Sequence, residues 1–156
     1  LLHVGIPARN VHPIITSDDS PRDCAAKYED KIVSFFKLSA GTFPNIDLIL
    51  LGIGEDGHTA SLFPAAAALS ERSHIAVAVA PMKESQKDRI TITFPVINNA
   101  SHVLILASGQ SKALILREII KMENTNLPAA MVKPRIGKAV FLVDKDAGAL
   151  LAAPEI

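Results

Sequence analysis

Apolar residues fall along this chain in short blocks, and the period within the blocks changes from one to the next. Over residues 23–38 the period is helical, with Tyr28, Ile32, Phe35 and Phe36 recurring on one face. Ser20 and Pro21 precede that stretch as N-cap and first helical position, and Gly41 is placed to end it. Residues 11–15 predict a short strand and residues 16–21 a polar loop. Residues 46–51 are apolar throughout apart from Asp47, which predicts a strand buried on both faces of a parallel sheet. Residues 103–107 predict a second buried strand, and residues 75–79, 89–94 and 139–143 predict further ones. Residues 111–122 predict a helix, and residues 144–151 a short closing helix. Strands and helices roughly alternate, so the expected fold class is α/β, an open, mostly parallel sheet with helices on both faces. No repeat, low-complexity segment or shift in composition divides the chain, so residues 1–156 read as a single domain.

Composition narrows the function classes. The chain has 156 residues, 49% hydrophobic and 21% charged, an ordinary globular balance with room for a core. Sixteen Lys+Arg offset sixteen Asp+Glu, so no global field favours nucleic acid or an anionic membrane surface. Aromatics are 4% with no Trp, too few for a single-strand stacking platform. Cys24 stands alone, cannot form an internal disulfide, and is compatible with a reducing, cytoplasmic setting. No apolar run is long enough to span a bilayer, and no signal peptide is evident. The five histidines lack ligand spacing and no Cys cluster exists, so no metal is expected. The chain opens on Leu1-Leu2 without Met, closed by Gly5 and Pro7 like the tail of a helix, which suggests a piece of a longer protein.

The stretch LILLGIGEDGHTASLFP, residues 48–64, holds the candidate chemistry. Gly52, Gly54 and Gly57 spell G-x-G-x-x-G after an apolar strand, the dinucleotide-binding fingerprint. That reading needs a helix starting at the third glycine and an acid ending the next strand. Pro64 leaves little more than one turn after Gly57, and the next strand ends in Val79-Ala80-Pro81. No nicotinamide or flavin cofactor is therefore expected. The alternative is a catalytic loop beyond the end of a strand, where ligands of open α/β sheets bind. Glycines let its backbone turn sharply, and it carries Asp56 and His58 one residue apart. A histidine can take a proton near neutral pH, and a nearby carboxylate can orient it or hold a substrate hydroxyl.

These residues resemble the signature of 6-phosphogluconolactonases, which share a superfamily with glucosamine-6-phosphate deaminases. Further blocks match in order: GIPARNVHPI, RITITFPVINNA, ASGQSKALIL, and LPAAMVKPRIGKAVFLVD, the last with Phe141 where Trp is more usual. The resemblance covers essentially the whole chain and implies a Rossmann-like fold. It favours lactonase over deaminase, because Leu62-Phe63-Pro64 stands where deaminases carry an N-E-P glutamate. The family's front portion, with a glycine-rich phosphate loop and an arginine segment, has no counterpart here. The resemblance thus implies the C-terminal two-thirds of a longer lactonase domain, with only part of the substrate site.

The substrate implied by the resemblance is the phosphosugar lactone 6-phosphoglucono-δ-lactone, hydrolysed to 6-phosphogluconate in the pentose phosphate pathway. His58 would be the general base on a water, and Asp56 would orient His58 or hold a hydroxyl. N–H groups around Gly54 and Gly57 would stabilise the oxyanion, and no cofactor is needed. Lys112 follows a buried strand and opens a helix, so it and the N–H groups there would hold the phosphate. Arg89, heading a strand, is a weaker substrate-binding candidate, with an ion pair to Asp88 or Glu84 as the plain alternative. Thr59 and Ser61 are expected to cap the turn after the loop. A deaminase-like isomerase and a non-catalytic phosphosugar-binding fragment stay open as alternatives. Losing sheet strands would bare apolar surface, so a companion segment or self-association is expected.

Overall fold

A computed structural model describes residues 4–16, 20–81, 87–121 and 126–151. Local signals account for its first long element, helix α1 (Pro21–Phe36). The Ser20 hydroxyl accepts the Asp23 N–H at 3.2 Å, and Pro21 stands at the first helical position. The helix ends at Lys37, which turns left-handed (φ 52°), earlier than Gly41 suggested. Cys24 and Ala25 are buried, whereas Phe35 and Phe36 are exposed despite their helical spacing. Phe35 instead meets the His12 ring at a 60° tilt, ring centroids 5.2 Å apart. Leu1, Leu2, Glu84 and Met122, which the sequence reading also used, lie outside the described residues.

Among the described residues the strands are β1 (Leu48–Gly52), β2 (Ala76–Val79), β3 (Arg89–Ile92), β4 (His102–Ala107) and β5 (Lys138–Val143). β1, β4 and β5 form a parallel sheet in the order β1-β4-β5, with Ile49 opposite Val103 and Val103 opposite Ala139. β2 and β3 pair antiparallel in a small separate sheet against which α1 packs. Helices α2 (Phe94–Ile97) and α3 (Ala113–Ile120) follow β3 and β4. The expected α/β architecture with a parallel main sheet is present. Its entrance is pinned by polar clasps. Asn99 Nδ2 donates to the carbonyls of Phe43 and Pro44, and Asn45 Nδ2 donates to the Asn99 carbonyl, fixing the start of β1 beside that of β4.

Three expected elements differ. Residues 11–15 pair with no strand and stay extended loop. Residues 144–151 form turns, not a helix. The Asp144 carboxylate organises them, accepting the N–H groups of Ala147 and Gly109. Residues 89–94 stop as a strand at Ile92, because Phe94-Pro95 opens α2.

The largest departure concerns burial. Ile49, Leu51, Val103, Ile105 and Ala107 point into the core against Ile97, Ile115, Leu116 and Ile119. Strand geometry sends alternate residues to the other face. There Leu48, Leu50, Leu106, Val140 and Leu142 are 43–58% exposed. The strands expected to be buried on both faces are therefore buried on one. α2 and α3 lie on that face, and among the described residues no layer covers the other.

Candidate active site

The loop after β1 is shaped by contacts that its own residues make. The Gly54 N–H donates to the His58 carbonyl at 2.8 Å, and the Gly57 N–H donates to the Gly54 carbonyl at 3.0 Å. Thr59 donates its hydroxyl back to the Gly52 carbonyl at 2.9 Å, and the Gly57 carbonyl accepts the Ala129 N–H at 3.0 Å. The loop is thus closed on itself and tied to the segment after α3. Gly57 is left-handed (φ 79°), and a side chain there would also press into Leu127. Gly54 is required for a different reason. A Cβ on it would overlap the His58 ring and the Asp56 carboxylate. Gly52 carries no such demand: a Cβ there would meet nothing within 4 Å.

Asp56 and His58 come together on this loop. His58 Nδ1 lies 2.6 Å from Asp56 Oδ1, which also accepts the His58 N–H at 3.1 Å. Burial pushes the Asp56 carboxyl up, but the two hydrogen bonds from His58 and the ring's charge outweigh it, leaving the group below its ordinary 3.8. An ionised carboxylate can only accept, so the proton of a neutral His58 sits on Nδ1 and the lone pair on Nε2. A depressed carboxyl contributes stability above its unfolded value, lost as pH falls through the folded one. The melting-temperature gap between wild type and Asp56→Asn should therefore persist down to pH 5 and close only below pH 3.8. A gap that already closes between pH 7 and pH 5 is the contrary result.

His58 lines an open cleft of about 520 Å³ with Leu50, Leu51, Gly52, Ile53, Gly54, Ala60 and Lys112. The expected pair of His58 and Lys112 therefore shares one cleft. Lys112 precedes α3 at the end of a 3-10 turn, and its ammonium is 3.9 Å from Glu55 Oε1. Asp56 is not among the residues that line the cleft, and neither is Arg89. Arg89 reaches the site indirectly, its guanidinium carbon 5.6 Å from the Phe63 ring centroid. Phe63 in turn lies 4.6 Å from the His58 ring at 40°. Sequence reasoning missed Phe63, whose nearness to His58 depends on the turn between them.

Some expected roles do not survive this geometry. The N–H groups of Gly54 and Gly57 are already bonded within the loop, so they are not oxyanion donors. The Gly109 N–H is taken by Asp144, and the Lys112 N–H by the Gly109 carbonyl, which removes two donors from the supposed phosphate cradle. Thr59 does not cap, because its hydroxyl bonds back to the Gly52 carbonyl, and the Ser61 N–H donates to the Thr91 hydroxyl. No helix starts at Gly57, so the geometry of a dinucleotide fingerprint is missing. His74 bonds to Glu29 and His102 to the Asp47 carbonyl, both away from the loop. Among the described residues no group of three or more His, Cys, Asp or Glu could hold a metal ion. No described helix is long and apolar enough to cross a membrane.

The family model described as glucosamine-6-phosphate isomerases/6-phosphogluconolactonase matches residues 1–141. The chain belongs to this family. A 6-phosphogluconolactonase of Synechocystis is 40% identical over 147 residues, covering 93% of this chain and 60% of the relative. The 6-phosphogluconolactonase of Rattus norvegicus is 42% identical over 135 residues, covering 85% and 51%. Among solved structures, 6-phosphogluconolactonase from Trypanosoma cruzi superposes with a TM-score of 0.80 at 29% identity, covering 95% of this chain and 62% of that one. A monomeric glucosamine-6-phosphate deaminase, at 22% identity and a TM-score of 0.62, shares the fold. This family member thus spans about three fifths or less of the length of these lactonases.

Proposed function

We propose that the protein of which this chain is a part hydrolyses 6-phosphoglucono-δ-lactone to 6-phosphogluconate. The observation that carries the reading is the Asp56–His58 pair on the wall of a cleft that also holds Lys112. His58 Nε2 takes a proton from water as the water oxygen bonds to the lactone carbonyl carbon. The tetrahedral intermediate then collapses, the ring C–O ester bond breaks, and the departing ring oxygen takes the proton from the imidazolium. Asp56 holds the ring in the required tautomer and stabilises the imidazolium. Lys112 binds the 6-phosphate, and Arg89 backs Phe63, which lies against the His58 ring. A lactone is already activated, so the reaction calls for no metal or organic cofactor, and a dinucleotide is not the ligand. The likeness to curated lactonases and the absence of a carboxylate at Leu62-Phe63-Pro64 both favour ester hydrolysis over deamination. Parallel assays of lactone opening and of ammonia release from glucosamine 6-phosphate separate the two activities. Ammonia release without lactone opening is the result that refutes this reading.

Lys112 gives a graded test. A hydrogen bond between charged groups contributes about 1.5–3 kcal/mol. Lys112→Met should therefore raise KM for the phosphorylated lactone about 10- to 150-fold. With glucono-δ-lactone, which has no phosphate, the variant should match wild type. An equal loss on both lactones is the contrary outcome.

Residues 1–156 are, in this reading, one α/β domain forming the C-terminal two-thirds of a lactonase domain. The bare sheet face supports it, as does the share of the relatives' length that is matched. The remaining part of the domain is the proposed cover for Leu48, Leu50, Leu106, Val140 and Leu142. Without that cover the chain should self-associate, since an apolar face of this kind is unfavourable in water. Sedimentation should show oligomers that Leu50→Glu with Leu142→Glu returns to monomer. A wild-type chain monomeric at high concentration is the contrary finding. A non-catalytic phosphosugar-binding fragment is the second reading, and the same bare face favours it.

A further inference from the structure

We propose that Glu55 is a latch on the cleft's cation, holding Lys112 in the free protein until the phosphate of a sugar phosphate displaces it. The inference rests on the reading of Lys112 as the phosphate-binding group. Glu55 immediately precedes Asp56, on the loop that carries His58. Its Oε1 is 3.9 Å from Lys112 Nζ. The two side chains are unlike in setting: Lys112 is 22% exposed and lines the cleft, whereas Glu55 is 67% exposed and does not line it. The carboxylate thus reaches the ammonium from the solvent side and leaves the cleft itself open.

Such a pair is weak enough to give way. It is long, one partner is largely in water, and exposed ion pairs add little. A phosphate dianion brings more charge and three acceptor oxygens to a single ammonium, so it competes well with one carboxylate. A monoanionic sugar acid competes poorly. Glu55 therefore weakens every anion that needs Lys112 by one factor without changing their ranking, so only a ligand with affinity to spare still occupies the cleft. The same factor acts on 6-phosphogluconate, the product. Because Glu55 and the base share one closed loop, the latch is set by the fold that sets His58.

The test is a calorimetric titration with 6-phosphogluconate of the chain joined to the rest of the lactonase domain. Glu55→Gln should tighten binding about two- to fivefold, the range open to an exposed pair. Asp30→Asn removes the same unit charge from an exposed position on α1 and should leave affinity unchanged. Unchanged or weaker binding in Glu55→Gln overturns the latch, as does equal tightening in Asp30→Asn. Lys112→Met separates the two levels of the argument. If binding needs Lys112 yet ignores Glu55→Gln, the latch alone is wrong. If binding survives Lys112→Met, the reading of Lys112 fails and the latch falls with it.

Discussion

His58→Ala should lower kcat for lactone hydrolysis about 10²- to 10⁴-fold, the usual contribution of a positioned general base. The fold should be nearly unaffected. The ring is 30% exposed, its side-chain partner Asp56 is half exposed, and its only close ring neighbour among the described residues is Phe63. A loss of about 1 kcal/mol, the net value of one hydrogen bond, is the most this site should cost. For a chain of this size that is a melting shift of no more than about 4 °C. Activity and stability should therefore separate cleanly in the variant. Full activity would remove His58 from the chemistry. Loss of activity together with cooperative folding would make the ring a structural part of the loop.

Gly54→Ala should be the more damaging change, although Gly54 touches no substrate in this account. Its Cβ would occupy the space of the His58 ring and the Asp56 carboxylate, and Gly54 is buried. Either the ring or the backbone must move. Forcing a methyl group into a filled site costs about 1–3 kcal/mol. A displacement of about 1 Å at a reacting group costs about a hundredfold in rate. Both losses should appear together, with a lowered melting temperature and a kcat reduced at least a hundredfold. Gly52→Ala is the internal comparison, since a methyl group there meets nothing within 4 Å. Near-wild-type behaviour in Gly54→Ala would mean that the loop is not closed over the Asp56–His58 pair in solution.

The contrast between these two glycines marks where sequence reading succeeds and where it stops. The string Gly52, Gly54, Gly57 looks uniform, yet Gly54 makes room for a side chain four residues on and Gly57 supplies a left-handed turn. Local signals transferred well. Ser20 caps α1, the apolar blocks at β1, β4 and β5 are strands, and Asp56 with His58 form one unit across a single intervening residue. Features set by distant parts of the chain did not transfer. An unbroken apolar run such as LILL has no polar marker to say which side is covered, so the bare face holding Leu48 and Leu50 was illegible. Residues 144–151 have helical composition, but Asp144 turns its carboxylate to Gly109, 35 residues away. The oxyanion role expected of Gly54 and Gly57 failed because their N–H groups close the loop on carbonyls that no motif reveals. Phe63 and Glu55 are likewise read only from contacts, to His58 and to Lys112.

The most direct test follows the opening of 6-phosphoglucono-δ-lactone above its spontaneous rate, by the chain joined to the rest of the lactonase domain. Wild type and His58→Ala are compared under the same conditions. The account predicts acceleration by wild type and its loss, by about 10²-fold or more, in the variant. No acceleration by wild type, or equal acceleration by both, would contradict it.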